Sequence, residues 1–467
     1  MKHLHRFYLI NLVVLVCLGV AAPLTAMNLD EIVRLAVEHD AQLKADLLAA
    51  EARNADGWQS VAAYGPTLSA SGSYMGSRDS ATPESGAEVE DRRANFSEGA
   101  VTVGLTQPVI DLEKINQARQ GATEMDVAML LKKKAREELL LKVHERYFAV
   151  LSAQENLRLA KAESDALQTQ VRNAETKLEL GYGTVTDRHN AEARYRLALA
   201  AEIAGQRDLE NSLKALAELI DREIAGEIED LPADLVVPSI PGEVEAWLKT
   251  AQAHNTDLGI NALQAHTAQL QYRAIQGRFL PALVFFADYN DRESTDGLLG
   301  YGEERSEFDV GLRVQTTLLA GGRDTAAAVA ASRRAEAAGE RTIATRRSVD
   351  RSVRSLWDSI ASTRELIDAY RQASAASEQA LEATLASYQE GVKVLLDVLN
   401  AQQDYYRSLR QFKTSRYDYM VLLERFRQVV GVEALAEVPV VPEETRPKSM
   451  PSEDGQGFVF KAKEGEQ

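Results

Sequence analysis

Two short turns, Gly181-Tyr-Gly-Thr-Val-Thr-Asp187 and Gly391-Val-Lys-Val-Leu-Leu-Asp397, each separate two long helical patterns, and they are one turn met twice. Gly181 aligns with Gly391, Val185 with Leu395, Asp187 with Asp397, Asn190 with Asn400 and Tyr195 with Tyr405, always 210 residues apart (391 − 181). Glycine ends a helix because it enters the left-handed position after the last turn with no Cβ clash. Asp187 and Asp397 then fall in the first turn of the next helix, where a carboxylate complements the helix dipole. The chain is a tandem duplication hinged on two helical hairpins. A repeat of this kind sets the fold more firmly than length does.

From Leu112 to about Leu180 there is no proline, and Gly121 is the one interruption. Ala, Leu, Glu, Lys, Gln and Arg dominate, all good helix formers. Such a helix is roughly 100 Å long, and no globular core buries that length, so it must pack along other long helices. After the Gly181 turn a second helix returns through Ala191, Leu197, Ala201, Leu209, Leu213, Leu216 and Ile220. The second copy runs from Gly321-Gly322 to about Glu390, with Trp357 standing where Tyr147 stood, and its return helix reaches about Val430 before Gly431 ends it.

Ahead of each hairpin lies a shorter helix and a change of period. Asn28 to Ala63 places Leu29, Ile32, Val33, Leu35, Ala36, Leu43, Leu47 and Leu48 at helical spacing, and Gly65-Pro66 breaks the pattern. Leu68, Ala70, Gly72 and Tyr74 then alternate with polar residues, as in a strand with one wet face. Arg78 to Ser97 reads as a polar loop, and alternation returns through Val101, Val103 and Leu105, stopping at Pro108. The predicted strands are about nine or ten residues long, which suits a tilted membrane-spanning strand. In the second copy, Gly242 to Gly277 is helical and Phe279-Leu-Pro281 breaks it. Leu283 to Tyr289 and Phe308 to Val314 form strands around a charged loop, Asn290 to Glu307. The first repeat is expected over 27–230 and the second over 242–437, with a proline-bearing linker at 231–241 between them.

The first 26 residues read as a secretory signal: a positive start, an apolar run from Phe7 to Val20, and a small residue at Ala26. Cys17, the only cysteine, lies inside that run, so the mature chain is expected to have no disulfide, thiolate metal site or cysteine nucleophile. The tail 438–467 is proline-rich, charged and aperiodic, and is expected to be disordered. A net charge of −17 argues against a nucleic-acid partner. His39 and His254 are repeat-equivalent and fit packing or capping better than metal ligation. The glycines near 302 and 321 lack the lysine of a phosphate loop, and no serine sits in a nucleophile elbow. Neither an enzyme nor a cofactor is expected.

Four amphipathic strands cannot close a membrane barrel, since about eight are needed and an open edge in lipid is costly. Other copies must complete the sheet, giving eight strands for a dimer or twelve for a trimer. The chain resembles the TolC-like outer-membrane efflux protein family over about Asn28 to Val430. The resemblance is carried by Leu105-Thr-Gln-Pro-Val-Ile-Asp111, the two glycine turns and the duplication. It implies a mostly α protein with a membrane β-barrel section. In it, long helical hairpins form an α-barrel across the periplasm and four strands per chain join a trimeric twelve-stranded barrel in outer-membrane lipid. It also implies a periplasmic adaptor and an inner-membrane RND or ABC transporter as partners.

By the same resemblance, Asp397 matches the acidic constriction ring, and Asn400 stands where some members carry a second carboxylate. Tyr388 and Lys393 match the groups that latch neighbouring hairpins, with Thr186 and Asp187 as their counterparts. Lysine in place of arginine weakens such a latch by removing the two-pronged fork. Gly181, Val185, Gly391 and Leu395 are expected at the exposed tip that meets the adaptor. The reading is a passive exit duct for efflux or type I secretion. The alternative is a periplasmic structural or adaptor protein of helical hairpins, against which the four duplicated strands speak.

Overall fold

The computed structural model describes residues 27–81, 92–224, 228–232, 237–295 and 302–432. The expected signal (1–26) and the expected tail (438–467) lie outside these. The first half reads α1 (Leu29–His39), α2 (Ala41–Ala62), β1 (Thr67–Ala81), β2 (Arg92–Ile110), α3 (Leu112–Glu179) and α4 (Val185–Ile220). The second half repeats the order with α5 (Val244–His254), α6 (Thr256–Gly277), β3 (Ala282–Ser294), β4 (Glu303–Gln315), α7 (Arg323–Gln389) and α8 (Leu395–Val430). α3 and α7 have 68 and 67 residues, which gives each a length near 100 Å.

Two expectations are corrected. The helix expected over Asn28 to Ala63 is broken at Asp40, and the one over Gly242 to Gly277 is broken at Asn255. Each residue ends one helix and caps the next: Asp40 accepts from the Leu43 backbone N–H at 2.6 Å, and Asn255 from that of Leu258 at 2.8 Å. The Asn255 amide also donates to the Val429 carbonyl at 2.8 Å, fixing the break against α8. The strands, moreover, run 13 to 19 residues. Both described ends of the stretch expected as a loop, Arg78 to Ser97, are paired in ladder, Arg78 with Asn95 and Ala81 with Arg92, and 82–91 lies outside the described residues. Ladder bonding satisfies backbone groups whatever the side-chain period, so the strands outlast their apolar alternation.

The four strands form one antiparallel sheet in the order β1-β2-β3-β4. Leu283 faces Val314, Phe285 faces Leu312, Ala287 faces Val310 and Tyr289 faces Phe308 across β3 and β4, which makes one continuous apolar face. The opposite face carries Asp288 against Asp309 and Asn290 against Glu307, and there the Arg313 guanidinium lies 4.4 Å from the centroid of the Phe286 ring. One face therefore suits lipid and the other water. Among the described residues, β1 and β4 each leave an edge without a partner strand.

The helices pack around α3, which touches α2, α4, α6 and α8. One core gathers Ile32, Leu139, Val143, Leu151, Leu216 and Ile220; a second gathers Val353, Ile360, Tyr419 and Phe426. A third and smaller one, Leu167, Ala174, Ala191, Ala198, Leu395 and Leu399, lies near the hairpin tips and joins the two repeats. Among the described residues no helix is long and apolar enough to cross a membrane.

Candidate functional site at the hairpin tips

The two turns share one geometry. Gly181 (φ +81°) and Gly391 (φ +78°) occupy the left-handed region that follows a helix. The next backbone N–H groups fold back to carbonyls in the last turn, Tyr182 to Lys177 at 2.8 Å and Val392 to Ser387 at 2.9 Å. This closes the orphan carbonyls of α3 and α7. Thr184 then caps α4, accepting from the Asp187 N–H at 3.0 Å while its hydroxyl donates to the Asp187 carboxylate at 2.7 Å. Val394 precedes α8 and has no side-chain oxygen to offer, so the capping is one-sided there: Asp397 accepts from the Val394 N–H at 3.4 Å.

Within one chain the expected latch groups do not meet. Lys393 Nζ lies 3.9 Å from Asp397 Oδ2 on its own hairpin, an exposed pair that contributes little. Tyr388 instead turns its ring beneath Lys177 of the first hairpin, with Nζ 4.0 Å from the ring centroid. Asp187 is engaged by Thr184, and Thr186 is exposed. No hydrogen bond or ion pair among the described residues joins Tyr388 or Lys393 to Thr186 or Asp187.

The exposed tip also differs from expectation at one position. Val185 is 55% exposed, but Leu395 is only 3% exposed. Leu395 is the first residue of α8 and turns into the third core, where the first hairpin covers it; Val185, at the equivalent place in the first hairpin, is not covered in this way. The most exposed apolar groups at the turns are Tyr182 (87%) and Val392 (75%), flanked by the exposed Leu180 and Val394. For Tyr182 and Val392 the signal was available, since each directly follows a turn glycine.

Two further residues were missed. Arg194 of α4 donates from Nη2 to Asn400 Oδ1 at 3.0 Å, and from Nη1 to Gln403 Oε1. With Lys177 over Tyr388, these contacts tie the second hairpin to the first close to its tip. Among the described residues no group of three or more His, Cys, Asp or Glu side chains is placed to hold a metal ion. The arrangement offers a mechanical junction and fixed charges.

Comparison with known proteins gives a consistent result. The family model for outer membrane efflux proteins matches residues 32–221 and 247–432, one stretch per repeat. The chain is 28% identical over 409 residues to the outer membrane protein TolC of Vibrio cholerae, covering 87% of this chain and 91% of that one. It is 29% identical over 358 residues to the alkaline protease secretion protein AprF of Pseudomonas aeruginosa, covering 75% and 73%. Among solved structures, the outer membrane protein VceC of Vibrio cholerae superposes with a TM-score of 0.74 at 17% identity, covering 86% of this chain and 96% of that one. CusC superposes with a TM-score of 0.75 at 16% identity, covering 86% and 92%.

Proposed function

The chain belongs to the outer membrane efflux protein family, and we propose that it acts as one subunit of a trimeric, passive exit duct closed at its periplasmic end by the hairpin tips. It is an outer-membrane channel for efflux or type I secretion, and not an enzyme. The observation that carries the oligomer is the incomplete sheet: four strands with an apolar face and, among the described residues, no partner strand beyond β1 or β4; the resemblance to the family favours three copies over two. Three copies supply twelve strands, and their α3, α4, α7 and α8 helices supply twelve more staves for the periplasmic wall. On this reading residues 1–26 are removed on export, and 27–230 and 242–437 are the two repeats on either side of the 231–241 linker.

Asp397 and Asn400 are proposed to face the constriction of the closed end. Tyr388, Lys393, Thr186 and Asp187 are proposed to latch hairpins of adjacent copies, since within one chain they do not meet one another. Repeat symmetry supports this division. Leu395 is covered by the first hairpin of its own chain, so Val185, at the same place in the first hairpin, is suited to cover by the second hairpin of the next copy. That leaves the turns themselves, Gly181-Tyr182 and Gly391-Val392, as the surface for a periplasmic adaptor. An inner-membrane RND or ABC transporter would supply the energy.

The test is in-cell crosslinking from a photoreactive residue at Tyr182 or Val392, followed by mass spectrometry. Capture of an adaptor that co-purifies with a proton-driven pump assigns small-molecule efflux. An adaptor that co-purifies with an ATP-driven transporter assigns protein or peptide export. Recovery of the protein in the soluble periplasm without any adaptor would sink the duct reading.

A further inference from the structure

Arg194 occupies an unusual position among the charges of the tip. Its guanidinium reaches across from α4 to α8 and donates to two side-chain amides, Asn400 at 3.0 Å and Gln403, which lie three residues apart on one helix face. Both acceptors are neutral, and no ion pair to a carboxylate is found for it among the described residues. Its positive charge is therefore held in place without being cancelled by contact. Asp397 lies one helical turn before Asn400, on the same side of α8.

The duplication shows that this contact is particular to one junction. The 210-residue offset puts Asp404 where Arg194 would recur, and Asn190 and Ala193 where Asn400 and Gln403 would recur. At matched positions the two repeats thus carry opposite charges. The fork also suits arginine specifically, because two acceptors can be satisfied by one planar donor group.

We propose that Arg194 is the residue that sets both the ion selectivity and the hold of the closed end, an inference that rests on reading Asp397 and Asn400 as the constriction. Each chain then brings the Arg194 guanidinium, pinned by two amides, beside the Asp397 carboxylate, whose other cationic neighbour is the exposed Lys393 at 3.9 Å. The acidic ring is offset, and the mouth discriminates weakly between cations and anions. The same guanidinium fastens the second hairpin to the first, so swinging α8 outward requires breaking both of its amide contacts.

Single-channel recording of the purified full-length protein in planar bilayers separates the two roles. Reversal potential under a potassium chloride gradient gives the cation-to-anion permeability ratio. Arg194→Gln is expected to raise that ratio roughly threefold in about 0.1 M salt, an order-of-magnitude effect of one unit charge near a water-filled path. The difference is expected to shrink in about 1 M salt, where the Debye length falls to ~3 Å. Arg194→Lys keeps the charge and loses the fork, so the ratio should stay at the wild-type value while the open probability rises. An Arg194→Gln channel with unchanged ratio, beside an Asp397→Asn channel whose ratio falls, would overturn the inference and leave the constriction reading intact. A lysine variant that shifts the ratio as far as the glutamine variant would overturn it too, because the effect would then be structural. If even Asp397→Asn leaves the ratio unmoved, the constriction reading itself fails.

Discussion

Tyr147 and Tyr417 show how single side chains hold the described residues between the repeats, 228–232 and 237–243. Tyr147 Oη donates to the Glu229 carbonyl at 2.5 Å, and Tyr417 Oη donates to the Asp230 carboxylate at 2.8 Å. Arg416 and Tyr419 reach the carbonyls of Pro232 and Pro238, and the Glu229 N–H donates to the Met27 carbonyl at 3.1 Å. Phe148 stacks beside both phenols, edge-on to Tyr147 with ring centroids 5.4 Å apart and 6.3 Å from Tyr417. Burial, with the nearby carboxylates adding to it, pushes the Tyr147 phenol up to about 12, and burial together with the Asp230 bond raises Tyr417 further. The sign follows from linkage. An unfolded tyrosine ionises near pH ~10, so above that the unfolded chain loses its phenolic protons first. The contribution of these phenols is therefore complete below about pH 10 and is lost as pH rises toward 12. Thermal unfolding followed by helical circular dichroism should show wild-type stability falling more steeply over that window than in a Tyr147→Phe/Tyr417→Phe variant. At neutral pH the variant should be less stable by about 1 kcal/mol per lost bond. Equal slopes would assign the alkaline loss to other groups.

At the scale of elements, Gly57 and Gly121 decide how α2 lies on α3. A Cβ built on Gly121 would sit 2.4 Å from the Gly57 carbonyl oxygen, and one on Gly57 would sit 2.7 Å from the Gly121 oxygen. Two helix backbones touch here, and on each side a backbone carbonyl oxygen, which cannot swing aside as a side chain can, stands in the way. Gly121→Val should push α2 off α3 and cost about 3 kcal/mol or more, the scale of an overpacked core. The check is urea-induced unfolding, with Gly339→Ala as a control because nothing lies within 4 Å of a Cβ built there. In that half-buried but open helical setting alanine should be neutral or slightly stabilising. The same residue types explain what could be read in advance. Long proline-free, alanine-rich runs announce long helices, and strict alternation announces membrane strands, because composition and period act through local geometry. Asp40 and Asn255 were opaque because the apolar helical pattern continues through each break, and only the cap geometry marks it. The true strand ends were opaque for the reverse reason, since pairing continues where alternation stops. At the tip, the turns and the helix-start carboxylates were legible as local features. The burial of Leu395, the approach of Lys177 to Tyr388 and the Arg194 fork depend on how one hairpin lies on the next, which no window of sequence contains.

For the whole molecule the decisive quantity is the number of copies that closes the sheet. β1 and β4 run in opposite directions in the meander, so β4 of one chain can pair with β1 of the next antiparallel, continuing the pattern that already joins β1 to β2 and β3 to β4. Such a contact is head-to-tail and must close on itself or propagate into a fibre. In lipid, closure is enforced because every unpaired edge group costs several kcal/mol. The expected closure is at three. With the lone cysteine Cys17 in the expected signal, the mature chain can take engineered cysteines without background. A Ser71→Cys/Gly311→Cys variant carries one cysteine on each edge strand, on the face opposite the apolar one. Treated in the membrane with a flexible bis-maleimide, it should give a denaturing-gel ladder that stops at three chain masses, and either single variant alone should give none beyond chance pairs. A ladder ending at two would return the eight-stranded dimer that the strand count also permits. A ladder without an end would mean that the edges pair openly, and neither barrel would then describe this chain.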